Sequence, residues 1–103
     1  MDITKYSFFD RLRALPFVEN IWLFGSRARG DNQERADIDI AVSCPGATGV
    51  EWSKIMEIIE EADTLLKIDC VRFDELDDAS DVKKSILTQG EKIYERNKTR
   101  TVF

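Results

Sequence analysis

The 103-residue chain carries 15 basic and 20 acidic side chains for a net charge of −5, is 43% hydrophobic, and has no histidine. That length suits one compact domain, and the acidic balance excludes the basic footprint with which proteins grip long nucleic acid. Without histidine there is no imidazole base and no common zinc ligand, so a bound metal is to be held mainly by oxygen, as magnesium or manganese is.

Residues 3–15, ITKYSFFDRLRAL, set Ile3, Tyr6, Phe9 and Leu12 at helical spacing and predict a first amphipathic helix, ended by Pro16. The apolar run IWLF, 21–24, closed by Gly25, reads as a buried strand. A polar turn follows, with room for a short helix at 26–29. Residues 37–43, DIDIAVS, read as a second strand, and CPGATG, 44–49, as a loop. Val50, Ile55, Ile58, Ile59, Ala62, Leu65 and Leu66 give one apolar face of a second helix. KIDCVRF, 67–73, alternates as a third strand, with Ile68, Cys70 and Arg72 on one side and Lys67, Asp69, Val71 and Phe73 on the other.

The acidic run DELDDASD, 74–81, supplies capping side chains and a solvated face ahead of a third helix that Gly90 stops. KIYE, 92–95, is expected to be an edge strand, and the tail from 96 to 103 to be loose. The sum is a single α/β (α+β) domain over 1–103 with its core at about 15–95, a small mixed sheet of about four strands, and helices mainly on one face. No apolar run is long enough to span a membrane and MDITKYSFFDR lacks a leader pattern, so the expected location is cytoplasmic. Cys44 and Cys70, far apart and in no metal-binding spacing, are expected to be small core residues and not a disulfide. Arg72 is expected at the surface, Trp22 in the core, and Trp52 partly buried. Lys67 and Tyr94 receive no role.

One feature resists a folding explanation. Asp37 and Asp39, one residue apart on a strand, project from the same face, roughly 6 to 7 Å apart at the backbone. Asp69 holds an equivalent place in the third strand. With those strands as neighbours, three carboxylates converge, and their mutual repulsion is reversed by divalent cations. Two such ions about 3.5 to 4 Å apart can clamp both the attacking and the leaving oxygen of a phosphoryl transfer. Upstream, Gly25 permits a sharp bend, Ser26 sits where a helix N-terminus would expose amide groups to phosphate, and Arg27 and Arg29 are either phosphate ligands or surface charge. Either half alone is commonplace: a glycine-serine turn often binds nothing, and an Asp-x-Asp pair is usually a solvated strand face.

Gly25-Ser26, ten intervening residues, then Asp37-Ile38-Asp39, with Asp69 on a later strand, resembles the signature of the DNA polymerase β-like nucleotidyltransferases. Size and the sequence GSRARG are most similar to the minimal nucleotidyltransferase (MNT) domains, over roughly residues 15–95. The resemblance implies the polymerase β-like fold, two magnesium ions (or manganese) on Asp37, Asp39 and Asp69, and ATP as donor with its phosphates on Gly25 and Ser26. It implies transfer of AMP to a hydroxyl with release of pyrophosphate. MNT domains resemble the antitoxin half of a toxin–antitoxin pair whose other half is a HEPN ribonuclease, which the antitoxin can adenylylate. That implies a hetero-oligomer with a HEPN toxin as partner and acceptor. A binding module that neutralises its partner by contact, and a transferase for a small-molecule acceptor, are the alternatives; the absence of a further domain to grip a small molecule counts against the second.

Overall fold

Near-continuous burial along two central strands, covered on both faces, sets the architecture. In the computed structural model, which describes residues 3–25 and 38–96, β1 (Asn20–Phe24) and β2 (Ile38–Ser43) pair antiparallel, Phe24 opposite Asp39 and Asn20 opposite Ser43. β3 (Ile68–Arg72) adds to β2 in parallel, and β4 (Glu91–Glu95) adds to β1 antiparallel, giving the order β3-β2-β1-β4. A parallel pair cannot be closed by a tight turn; here α2 (Gly49–Glu60) makes the crossover from β2 to β3.

One sheet face carries Ile21, Leu23, Ile38, Ile40 and Val42, and these pack with Phe8, Phe9 and Leu12 of α1 (Ser7–Arg13) and Ile55, Ile58 and Ile59 of α2. The opposite face carries Trp22 and Ala41, covered by Ile86 of α3 (Asp81–Gln89) and flanked by Phe24, Val71, Phe73 and Leu76. Two of the three α-helices among the described residues thus lie on one side, and the third seals part of the other. Trp22 is core, as expected, stacked on Phe73 with ring centroids 4.3 Å apart.

Local chemistry fixes the helix ends. The Thr48 hydroxyl accepts the Glu51 N–H at 3.1 Å and the Glu51 carboxylate accepts the Thr48 N–H at 2.9 Å, a reciprocal cap that starts α2. At the other end α2 stops six residues short of the expected Leu66. Glu60 and Glu61 stand at the negative end of the helix dipole, and the Thr64 hydroxyl accepts the Leu66 N–H at 3.1 Å, favouring a turn over another helical one. Leu66 still packs on the core, whereas Leu65 is fully exposed, at 105%. α3 is capped by the Ser80 hydroxyl, which accepts the Lys83 N–H at 3.1 Å, and it ends at Gly90. α1 is shorter than expected, with a separate 3-10 turn at Ile3–Lys5 before it.

Two further expectations need correction. Arg96 is not part of a loose tail: its N–H donates to the Glu19 carbonyl at 2.8 Å, and its guanidinium donates to the carbonyls of Val18 and Leu15 at 3.0 and 2.7 Å. It ties the chain after β4 to the segment before β1. Residues 97–103 lie outside the described residues. Arg72 is not surface charge either. It lies on the sheet face opposite Asp69, as alternation requires, but its side chain is only 14% exposed and pairs with Asp74 at 3.0 Å. It also donates to the carbonyls of Cys44 and Ala47 at 3.2 and 3.0 Å and lies 5.8 Å from the centroid of the Trp52 ring. Asp74, expected to cap or to face water, accepts the Cys44 N–H at 2.8 Å. A strand's hydrophobic pattern cannot reveal such a clamp, because its partners are backbone groups distant in sequence.

Candidate active site

The parallel register of β2 and β3 opposes Ile38 to Ile68 and Asp39 to Asp69. Adjacent strands run about 4.8 Å apart, so the two carboxyl-bearing residues are immediate neighbours on one sheet face. Ile40 and Cys70, the next pair, belong to the face that packs on the helices. The first bond of this alignment is made by the Ile38 N–H, which donates to the Lys67 carbonyl at 2.8 Å. Asp69 is half-exposed, at 46%, and its Oδ1 lies 3.9 Å from Lys67 Nζ.

Gly25 closes the group from β1. Its φ is +78°, a region that L side chains rarely adopt, and Phe24 before it is paired with Asp39. A Cβ at position 25 would overlap the Asp39 Oδ2 oxygen and lie 3.1 Å from the carboxyl carbon. The glycine is therefore favoured twice, by backbone conformation and by the carboxylate that would have to shift to admit a side chain. The sequence suggested the first reason; the second depends on strand pairing and was not legible.

Of the residues singled out from sequence, Gly25, Asp39 and Asp69 are brought together at one end of the sheet. Ser26, Arg27, Arg29 and Asp37 lie outside the described residues. Among the described residues, no group of three or more acidic or thiol side chains is clustered closely enough to hold a metal ion. Alternation had set Lys67 on the same side of the strand as Asp69 but gave it no role; the structure brings its ammonium within reach of that carboxylate.

With this geometry in hand, known proteins give a consistent picture. The model of the family described as polymerase beta, nucleotidyltransferase matches residues 10–99. The chain belongs to that family. As a polymerase β-type nucleotidyltransferase it is 39% identical over 56 residues to a Methanocaldococcus jannaschii protein assigned the name protein adenylyltransferase. That alignment covers 52% of this chain and 56% of the relative, so the chain matches little more than half of that protein's length.

Its fold is similar to a chain in the crystal structure of a toxin–antitoxin with AMP-PNP, at a TM-score of 0.65 and 22% identity, covering 86% of this chain and 72% of that one. A structure of a tri-AMPylated Shewanella oneidensis HEPN toxin in complex with MNT antitoxin is similar at a TM-score of 0.59 and 22% identity, over 86% and 67% of the two chains. A nucleotidyltransferase structure from Sulfolobus solfataricus aligns at 0.56 and 19% identity, over 94% of this chain and 82% of that one. At such identities these likenesses speak for the fold, a four-stranded mixed sheet with its helices in the polymerase β-like arrangement.

Proposed function

We propose that the protein is a metal-dependent nucleotidyltransferase that moves AMP from ATP to a hydroxyl of a protein partner, acting as the antitoxin of a HEPN ribonuclease toxin in a cytoplasmic hetero-oligomer. The observation that carries the reading is the in-register pair Asp39 and Asp69 beside a glycine at which a side chain would crowd the Asp39 carboxylate. A pure binding surface gains nothing from like charges set side by side. Among the described residues, no helix is long and apolar enough to cross a membrane.

The donor set fits a hard cation: Asp39 and Asp69 offer oxygen alone, and the nearer cysteine in sequence, Cys70, belongs to the other sheet face. Asp37, Asp39 and Asp69 would hold two magnesium ions, or manganese, which when bound supply positive charge against the triphosphate and lower the pKa of the acceptor hydroxyl. The chain's own groups do the rest. The turn at Gly25 lets backbone approach the nucleotide, and Ser26 with Arg27 or Arg29 binds the β- and γ-phosphates. Asp69 accepts the proton of the acceptor hydroxyl as its oxygen bonds to the α-phosphorus. The bond from the α-phosphorus to the bridging oxygen breaks, and pyrophosphate leaves with that oxygen.

The test is the intact mass of a HEPN partner co-expressed with wild-type protein or with Asp39→Asn. One or more added AMP units that disappear with the substitution support the transfer. Neutralisation of the partner by Asp39→Asn with no added mass would instead establish inhibition by contact, and AMP appearing only on a small molecule would move the acceptor out of the protein class.

A further inference from the structure

The end of the sheet that carries Asp39 and Asp69 also carries a cation of the chain's own. Lys67 immediately precedes β3, and its backbone is anchored by the bond from the Ile38 N–H to its carbonyl. Its ammonium lies 3.9 Å from Asp69 Oδ1, the carboxylate that the proposed function assigns to metal. The lysine side chain is 72% exposed, so the pair can part without either group being stranded in an apolar interior. An ammonium and a divalent cation seek the same oxygen, and only one of them can hold it closely at a time.

We propose that Lys67 is the resident counter-ion of the carboxylate site: in the nucleotide-free protein it occupies Asp69 and weakens cation binding, so that the cation enters with the nucleotide rather than ahead of it. This rests on the reading of Asp39 and Asp69 as metal ligands. The lysine also offsets part of the repulsion between the two neighbouring carboxyl-bearing residues. The phosphates of an incoming nucleotide bring a competing negative charge within reach of a flexible four-carbon arm. The lysine is thus a positioning residue and takes no part in bond making.

Titration of the nucleotide-free protein with Mn²⁺, read as the loss of the free-ion electron paramagnetic resonance signal, tests this without any turnover. Lys67→Met is expected to bind Mn²⁺ about two- to fivefold more tightly than wild type, the range open to a solvent-exposed charge pair. Lys67→Arg should match wild type, and the gain should vanish in Lys67→Met combined with Asp69→Asn. Equal or weaker Mn²⁺ binding by Lys67→Met overturns the inference. If wild type still binds more tightly than Asp39→Asn in that case, the carboxylate reading survives alone. If wild type binds no better than Asp39→Asn, both fall. Loss of ATP affinity in EDTA by Lys67→Met, with Mn²⁺ binding unchanged, would make Lys67 a phosphate ligand and also overturn it.

Discussion

Strand β3 carries charge near both of its ends, and the two ends treat it in opposite ways. Near the start, Asp69 faces a half-open surface beside Asp39, with Lys67 at 3.9 Å. At the end, Arg72 and Asp74 are 14% and 16% exposed, pair at 3.0 Å, and have their remaining hydrogen bonds met by Cys44 and Ala47. The second end pins the β2–α2 loop to the strand. The first end sets like charges next to one another at a half-open sheet surface, where nearby positive charge offsets their repulsion. A charged side chain in a strand is therefore structural or chemical according to whether it is buried among fixed partners or left within reach of solvent.

The comparison breaks most visibly under exchange of function for stability. Asp39→Asn should reduce AMP transfer to the partner by about 100-fold or more, with a much smaller change in Tm at this half-exposed position. Arg72→Met should do the reverse. It strands Asp74 and two carbonyls in a partly buried site, and Tm should fall on the order of 10 °C. Transfer measured well below the new Tm should remain within about threefold of wild type. A differential scanning run paired with a radiolabelled-ATP assay decides between them. Equal Tm loss in both variants would show that the two ends are not different in kind.

Gly25→Ala sharpens the comparison, because it touches the open end through packing rather than charge. The positive φ alone costs about 1 kcal/mol, and the new Cβ meets the Asp39 carboxylate. Tm should fall by a few degrees and transfer by about tenfold, the carboxylate being pushed from its place. Full transfer by Gly25→Ala would show that the fit of Asp39 against the turn is immaterial to the chemistry.

How much of this could be read from sequence follows from the range of each interaction. Period-two alternation in DIDIAVS and KIDCVRF located β2 and β3 and set Asp39 and Asp69 on their strands, because side-chain direction in a strand is a local property. The parallel register that makes them partners is not local; it depends on a crossover helix whose length the sequence overstated by six residues. After the helix ends at Glu60, Thr64, an unremarked hydroxyl in a run of apolar spacing, accepts the Leu66 N–H and holds the chain in a turn. Arg72, Asp74 and Arg96 were misread for one common reason. Each bonds to backbone carbonyls or N–H groups some 25 to 81 positions away, except for the local Arg72–Asp74 pair, and backbone partners leave no trace in composition.

The smallest effect concerns the satisfied end, through its thiol. Burial, and then the Asp74 carboxylate, push the Cys44 thiol up to about 11 from an ordinary 9.0. Burial likewise pushes Cys70 up to about 12. A thiol whose pKa is raised on folding holds its proton more tightly in the folded chain. The resulting stability is complete below pH 9, where both states are protonated, and is lost as pH rises from 9 through about 11, where the unfolded chain has released the proton first. The informative quantity is a difference between proteins, in which everything common to both cancels. Between pH 8 and pH 10.5 the Tm of wild type should fall by more than that of Cys44→Ala. Asp69→Asn, altered at the open end, should track wild type across the same range. Parallel curves for wild type and Cys44→Ala would mean that the thiol beside Asp74 ionises as readily in the folded protein as in the unfolded chain, and the distinction between a closed and an open end of β3 would lose its electrostatic half.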